Sequence, residues 1–181
     1  IVPGEAEEAR KAVVAAAKAD GPVYLRFGRE ATPVFTTSET PFQIGKALIL
    51  WEPEAGSRKP EAAILATGSL SYSTLTAARA LAADGIESIV LHVPTVKPLD
   101  EKAVLDAARQ AGRVVTVEEH QTAGGFGSAI AEFLSDIHHV SIKRLGVQDR
   151  FGQSGTPEEL LKHYGLDAFH IEDTVRALVR I

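Results

Sequence analysis

The stretch from Arg113 to Leu134 constrains the fold of this chain more than any other part. It reads RVVTVEEH, then QTAGGFG, then SAIAEFL. The first part has the β-branched residues of a buried strand, the second is rich in glycine, and the third has the apolar spacing of a helix. A strand, a tight turn and a helix in this order indicate an α/β fold with parallel strands.

Similar apolar runs recur along the chain. They predict strands at Ala47 to Trp51, Glu61 to Ala66, Ser88 to Val93, Val114 to Val117 and Val140 to Leu145. Only a loop with Pro53, Gly56 and Pro60 separates the first two runs, so these two predict a hairpin-like pair. Because the later strands alternate with helices, we expect a largely parallel sheet covered by helices on both faces.

Helix signals between the strands support the same alternation. Apolar residues recur at helical spacing between Thr74 and Asp84, and Asp100 is placed to cap the next helix. Near the C-terminus, Thr156-Pro157-Glu158-Glu159 is a capping box and Gly165 ends that helix. A last helix places Ile171, Val175, Leu178 and Val179 on one face.

The composition excludes several classes of protein. The net charge of -5 and the scattered lysines and arginines argue against a nucleic-acid partner. No apolar run is long enough to span a membrane, and the absence of cysteine excludes disulfides and thiolate metal sites. These features are typical of a cytoplasmic protein. The chain also has no methionine and starts with Ile1, so we expect a piece of a longer protein rather than a chain preceded only by disordered or tag residues.

The N-terminal residues look like the trailing edge of a preceding domain. Residues 5–19 are rich in alanine and predict a helix, and residues 22–27 predict a strand. One helix and one strand are too little to fold alone. Arg26 and Arg29 flank the end of that strand, where an arginine can bind a phosphate or carboxylate through two N–H groups, or can simply be solvated.

Glu118, Glu119 and His120 follow the buried strand and are candidates for an acid–base set or for metal ligands. Successive side chains of a strand point to opposite faces, so only Glu118 and His120 can converge. No second cluster with metal-ligand spacing occurs in the sequence. The residues therefore favour a role in hydrogen bonding or in an interface.

Two loops offer backbone N–H groups or hydroxyls to an anion. The first is the turn with Gly124, Gly125 and Gly127, and the second is Thr67 to Ser71. In the first, Ile130 replaces the third glycine of a dinucleotide fingerprint, so a structural turn is favoured. The second lacks the pattern of a nucleophile elbow or a P-loop, and its hydroxyls favour helix capping over a weak anion site.

Taken together, these segments resemble the C-terminal part of transketolase. The strongest pieces of the resemblance are VTVEEHQTAGGFGSAIAE from Val115 and GVQDRFGQSGTPEELLKHYGL from Gly146, with Val96-Lys97-Pro98-Leu99-Asp100 as a less exclusive match. Similar patterns occur in deoxyxylulose-phosphate synthase and in the β-subunits of 2-oxo-acid dehydrogenases. The resemblance is closest to transketolase, including forms encoded as two polypeptides.

This resemblance implies a three-layer α/β sandwich with a mostly parallel, mixed five-stranded sheet. It implies that residues 1–35 end a pyrimidine-binding domain, that residues 36–43 are a linker and that residues 44–181 are the C-terminal domain. The parent enzyme of such a domain uses thiamine diphosphate and magnesium to move two-carbon ketol units between sugar phosphates, as in the pentose phosphate pathway. The family segment that binds cofactor and metal, Gly-Asp-Gly…Asn-Asn, has no counterpart here. We therefore expect no cofactor or metal on this chain and no catalytic residue or activity in it alone.

The resemblance also assigns residues and partners. Arg29 matches the arginine that binds the substrate phosphate. Glu118, Glu119, His120, Gly124, Gly125 and Gly127 match a dimer interface. The expected partners are an N-terminal cofactor-binding region, in the same or a separate polypeptide, and a second copy. The rival interpretation is a regulatory module whose loops at 118–127 and 67–71 bind a small anion.

Overall fold

The computed structural model describes residues 1–54, 56 and 58–180, and a five-stranded sheet forms its centre. The strands are β1 (Leu48–Trp51), β2 (Ala62–Ala66), β3 (Ser88–His92), β4 (Arg113–Gln121) and β5 (Ser141–Val147). Their order is β1-β3-β2-β4-β5. β1 pairs antiparallel with β3, and all the other pairs are parallel. The predicted mixed, mostly parallel sheet is therefore confirmed.

Helices cover both faces of this sheet. The helices are α1 (Ala6–Ala16), α2 (Leu70–Ala83), α3 (Glu101–Ala111), α4 (Phe126–Ile137), α5 (Pro157–Tyr164) and α6 (Ala168–Val179). α2 and α6 pack on one face, and α3 and α4 pack on the other. The predicted three-layer sandwich is confirmed. Among the described residues, no helix is long and apolar enough to cross a membrane.

The position of each strand follows from which of its faces are apolar. Every residue of β2 and β3 is buried, because both faces of a central parallel strand meet helices. β1 and β5 lie at the two edges and keep several exposed residues. The carboxyl ends of the parallel strands consequently meet at one edge of the sheet, where α/β proteins usually bind ligands.

The predicted hairpin between the first two strands is wrong. β1 pairs with β3, and its Leu48 faces His92 across the pair. β2 instead lies between β3 and β4. The physical reason is burial: the all-apolar β2 needs neighbours on both sides, and the half-exposed β1 can occupy an edge.

Two other predictions of local structure need correction. Residues 22–27 run extended but are not a strand of the sheet: the backbone pairs with Ile1 through the Arg26 N–H, at 2.9 Å from the Ile1 oxygen. α2 begins at Leu70, four residues before the predicted start. The glycine and serines before it resemble a loop in sequence, although the first turn there already packs its Leu70 into the core.

The capping box of α5 is confirmed. The Thr156 hydroxyl accepts from the Glu159 N–H, and the Glu159 carboxylate accepts from the Thr156 N–H at 2.9 Å. The hydrogen bonds from the backbone N–H and then the hydroxyl of Thr156 lower the pKa of the Glu159 carboxyl. Because these hydrogen bonds favour the ionised carboxylate, they stabilise the fold above the ordinary pKa of a glutamate. This stabilisation is lost as the pH falls through the lowered pKa of Glu159.

Candidate functional site

A cavity at the carboxyl edge of the sheet contains two of the predicted site residues, Arg29 and Glu119. It has a volume of about 520 Å³ and opens between residues 28–33, the first turn of α2, Glu119 and the region of α5. The α5 side is mostly apolar. Among the described residues that line the cavity, Arg29 is the only basic one. The lining also includes the carboxylates of Glu30 and Glu119, so only the neighbourhood of Arg29 suits an anionic group of a ligand.

Arg29 lies on a short loop that is held at both ends. On one side, Arg26 donates through Nη2 to the backbone oxygen of Glu119 at 2.9 Å. On the other side, the Thr32 hydroxyl donates to the Gly4 oxygen at 3.1 Å. The Arg29 side chain is 93% exposed and pairs with neighbouring Glu30 at 3.1 Å. Exposed pairs of this kind contribute about 0–1 kcal/mol, so an anion can compete for the guanidinium.

Glu118 does not belong to an open acid–base set. It is 1% exposed, and its two carboxylate oxygens accept from the N–H groups of Phe126 at 2.6 Å and Gly127 at 2.8 Å. These N–H groups belong to the first turn of α4, which has no intrahelical partner for them. The chain's own carboxylate therefore occupies the position that a bound phosphate would take in a glycine-rich turn.

The glycines of this turn are required for close packing. A Cβ on Gly125 would overlap the Gln121 oxygen and the Glu118 carboxylate, and one on Gly127 would overlap the Thr116 hydroxyl. Gly124 has a φ of +71° and an N–H that donates to Ser128. The interpretation of this segment as a structural turn agrees with these contacts, and the N–H groups of Gly124, Phe126 and Gly127 are not available to an anion.

Glu119 and His120 lie on the surface, unlike Glu118. The Glu119 carboxylate accepts from the Ser69 hydroxyl at 2.6 Å. The His120 ring nitrogen Nδ1 accepts from the N–H of Gln121 at 2.6 Å. The structure therefore separates Glu118 from His120, although alternation predicts one face for both, because the pairing of β4 with β5 is irregular between Val117 and Gln121. The assignment of Glu118, Glu119, His120, Gly124, Gly125 and Gly127 to an interface stays a prediction.

The expected capping role of the hydroxyls in residues 67–71 is wrong. Thr67 donates to the Val93 oxygen at 2.8 Å, and Ser69 donates to Glu119. Ser71 bonds to His92 instead. Each hydroxyl thus bonds α2, or the loop before it, to another part of the chain. No side chain caps the N-terminus of α2.

Sequence reasoning does not find a buried polar chain of Ser71, His92 and Glu8. The Ser71 hydroxyl lies 2.6 Å from His92 Nδ1, and His92 Nε2 lies 2.7 Å from Glu8 Oε2. The residue types match those of a hydrolase triad. However, Ser71 and His92 are 0% exposed, so no substrate reaches the hydroxyl. The available signal is His92 itself, a polar residue that follows three apolar residues at the end of a strand.

The described residues do not fit a site for magnesium and thiamine diphosphate. Within residues 1–54, 56 and 58–180, no group of three or more His, Asp or Glu side chains could hold a metal ion. The glycine-rich turn, which would otherwise suit a diphosphate, has its N–H groups engaged by Glu118 and Ser128. No reaction step is therefore assigned to this chain through either group.

Sequence comparison identifies relatives of the whole chain. The family model for the transketolase C-terminal domain matches residues 54–171. The chain is 43% identical over 152 residues to a 6-deoxy-6-sulfo-D-fructose transketolase subunit of a Clostridium species, covering 84% of this chain and 45% of that protein. It is 38% identical over 184 residues to a 1-deoxy-D-xylulose-5-phosphate synthase of Geobacter metallireducens, covering 99% of this chain and 28% of that protein.

Two further relatives are encoded as separate subunits or split genes. The chain is 34% identical over 181 residues to an apulose-4-phosphate transketolase subunit of Phocaeicola vulgatus, covering 99% of this chain and 56% of that protein. A solved structure described as a split-gene transketolase in an inactive β4 tetramer superposes with a TM-score of 0.91 and 36% identity. That match covers 99% of this chain and 57% of the solved chain.

These matches have two consequences. The chain spans between 28% and 56% of the length of the curated relatives described. The family match extends over more than half of the chain, and the fold agrees with it. The chain therefore belongs to the transketolase C-terminal domain family.

Proposed function

We propose that the chain is the C-terminal part of a thiamine-diphosphate-dependent transketolase of the cytoplasm, which moves a two-carbon ketol unit between sugar phosphates. The main support is the joint packing of the two parts of the chain. Residues 1–35 pack on the sheet domain through buried Glu8, which bonds to His92, and through the Val2 N–H, which donates to the Pro94 oxygen, and the relatives align across both parts. By packing against the N-terminal segment, the sheet domain would hold in place the residues of that segment that contribute to the substrate site.

The proposal divides the enzyme's tasks between regions. The remainder of the parent protein, in the same or a separate polypeptide, would hold the cofactor and magnesium, because the described residues offer no site for them. The cofactor supplies the covalent chemistry of ketol transfer. This chain would supply structure, an interface and one substrate contact, and alone it would be inactive.

The substrate contact is Arg29, which we propose binds the substrate phosphate. Its guanidinium is exposed at the cavity and carries five N–H donors in a planar fork, which suits two phosphate oxygens at once. The hydrogen bonds of Arg26 and Thr32 hold its loop in place, so little ordering is needed when the ligand binds.

Replacement of Arg29 by glutamine tests this assignment in the complete enzyme. We expect kcat/KM for a phosphorylated donor, fructose 6-phosphate, to fall about 10- to 100-fold, because a charge-assisted hydrogen bond contributes about 1.5–3 kcal/mol. The activity with hydroxypyruvate, a ketol donor without phosphate, should change less than about 2-fold, since uniform damage would affect both donors. Steady-state kinetics with both donors, each paired with the phosphate-free acceptor glycolaldehyde, provide the measurement.

The matched control is Arg109→Gln, which removes the charge of an exposed arginine at the far end of α3. It should leave both donors unaffected. The 181-residue chain alone should show no ketol transfer. Equal losses with both donors in Arg29→Gln would contradict the assignment of Arg29, and ketol transfer by the isolated chain would contradict the proposed division of tasks.

We also propose that the β4–α4 turn forms part of a homodimer interface. Glu119, His120 and Gly124 are exposed there, and buried Glu118 fixes the backbone beneath them. The double replacement of Glu119 and His120 by alanine should weaken dimerisation about 10-fold or more if these residues lie at the centre of the interface. Sedimentation of the complete protein over a concentration series measures this, with Lys102→Ala on α3 as control. An unchanged dimer would remove the turn from the interface.

The main alternative is the equivalent domain of a deoxyxylulose-phosphate synthase. The relevant observation is that a synthase from Geobacter metallireducens is among the relatives and aligns over almost the whole chain. A synthase consumes pyruvate and releases CO₂, whereas ketol transfer between sugar phosphates releases none. Incubation of the complete enzyme with labelled pyruvate and glyceraldehyde 3-phosphate separates the two activities by the release of labelled CO₂.

A further inference from the structure

A continuous path of hydrogen bonds links the sheet domain to the loop of Arg29. It begins with the Ser71 hydroxyl and His92, and continues from His92 to Glu8 Oε2. Glu8 Oε2 also accepts from the Gly4 N–H at 2.7 Å, and the Gly4 oxygen accepts from the Thr32 hydroxyl at 3.1 Å. The path therefore runs from the first turn of α2 to a residue three positions beyond Arg29.

One arrangement of protons allows every hydrogen bond in the central part of this path, from Ser71 through His92 to Glu8. With Glu8 ionised, His92 donates from Nε2 to the carboxylate and accepts at Nδ1 from the Ser71 hydroxyl. Since Ser71 and His92 are 0% exposed, water cannot replace either partner. A buried polar group that loses its partner costs about 1–3 kcal/mol, so the geometry of the three side chains is strongly specified.

Packing around Gly4 transmits this geometry to the segment after Arg29. A Cβ on Gly4 would overlap the Phe35 ring, so the backbone here lies directly against that ring. The Phe35 ring meets the His92 ring edge to face, with centroids 5.5 Å apart. The neighbouring Thr36 hydroxyl donates to buried Glu5. Residues 32–36 are thus held in place by contacts with His92 and with the residues at the N-terminus of α1.

We propose that His92 is a positioning residue for substrate binding: through Glu8 and Gly4, it fixes the loop that carries Arg29 at the cavity. This inference rests on the proposed role of Arg29. Arg26, bound to Glu119, fixes the opposite end of the loop. His92 touches no substrate itself, because it is buried at the end of β3, where it contacts Glu8 of α1 and Ser71 of α2.

The complete enzyme with Ser71→Ala tests this proposal. Alanine fills nearly the same volume but leaves His92 Nδ1 without a partner. We expect KM for fructose 6-phosphate to rise about 10-fold, because small displacements of a binding group strongly affect rates, and activity with hydroxypyruvate to change less than about 2-fold. The matched control is Ser88→Ala, since Ser88 is equally buried and its hydroxyl has no hydrogen-bond partner among the described residues. It should behave as wild type with both donors.

Hydrogen–deuterium exchange gives a second measurement that does not depend on the phosphate. In Ser71→Ala, and in Thr32→Val at the far end of the path, the amides of Gly4 and Arg26, which donate to Glu8 and to the Ile1 oxygen, should exchange about 10-fold faster. Ser88→Ala should leave them unchanged. A donor-independent loss in Ser71→Ala, or unchanged exchange of the Gly4 and Arg26 amides, overturns the positioning proposal.

Parallel kinetics of Arg29→Gln separate this proposal from the proposed function. If Arg29→Gln shows no donor selectivity while Ser71→Ala still speeds exchange of the Gly4 and Arg26 amides, the phosphate assignment fails and the positioning of the loop is supported. If Arg29→Gln is selective but Ser71→Ala matches Ser88→Ala in kinetics and exchange, His92 has no positioning role.

Discussion

Replacing Gly125 by alanine is expected to lower the free energy of unfolding by about 3 kcal/mol or more. The new methyl group would overlap the Gln121 oxygen and the Glu118 carboxylate. Neither atom can move freely, because Glu118 is buried and both of its oxygens accept from α4. The structure must therefore shift α4 away from β4 or break the hydrogen bonds of Glu118. Urea unfolding followed by circular dichroism measures the loss.

Gly152→Ala is the matched control for this prediction. A Cβ on Gly152 meets nothing within 4 Å, and its φ lies outside the left-handed region. The change should alter stability by no more than about 0.5 kcal/mol, as at most surface positions. If Gly125→Ala unfolds at the same urea concentration as Gly152→Ala, the close packing of the turn against Glu118 is incorrect.

Replacing Glu118 by alanine should destabilise the protein by about 3 kcal/mol. The change removes two charge-assisted hydrogen bonds and leaves the N–H groups of Phe126 and Gly127 buried without an acceptor. It also removes a negative charge from the N-terminus of α4, where the helix dipole favours one. Glutamine at the same position should cause a smaller loss, because its amide keeps one oxygen acceptor and presents an N–H₂ to the other donor.

Glu119→Ala is the control that shows whether the destabilisation by Glu118→Ala follows from removing any glutamate or from removing this hydrogen-bond acceptor. Glu119 is exposed, and its carboxylate makes one hydrogen bond, from Ser69. Its replacement should cost less than about 1 kcal/mol in the same unfolding experiment. Similar losses for Glu118 and Glu119 would mean that Glu118 does not cap α4.

The sequence predicts the layers of this fold well because they depend on local patterns. The apolar run of β2, the Asp100 cap and the capping box of α5 each specify their element without distant partners. Strand neighbours are different. β1 pairs with β3, about 40 residues later, and only the burial of both faces of β2 explains why the expected hairpin does not form.

In the candidate site, too, the sequence predicts local structure but not the contacts between residues that are far apart in the chain. The glycine-rich turn is recognisable as structural from its sequence, but the carboxylate that fills it is visible only in three dimensions. Glu118 precedes Phe126 by eight residues, and the turn brings the two together. His92 and Glu8 are separated by 84 residues, so no spacing rule could associate them. Family resemblance points to Arg29, and the structure adds the anchors on both sides of its loop.

The two anchors, Arg26 and Thr32, enclose an insert of residues 27–31 whose side chains do not take part in holding the loop. Arg26 and Thr32 carry the hydrogen bonds, and neither belongs to the five residues between them. Side chains at positions 27–31 can therefore be changed without breaking either anchor. A library restricted to that insert would vary the chemistry presented to a ligand while keeping its placement, which makes this short segment a practical starting point for altering substrate preference.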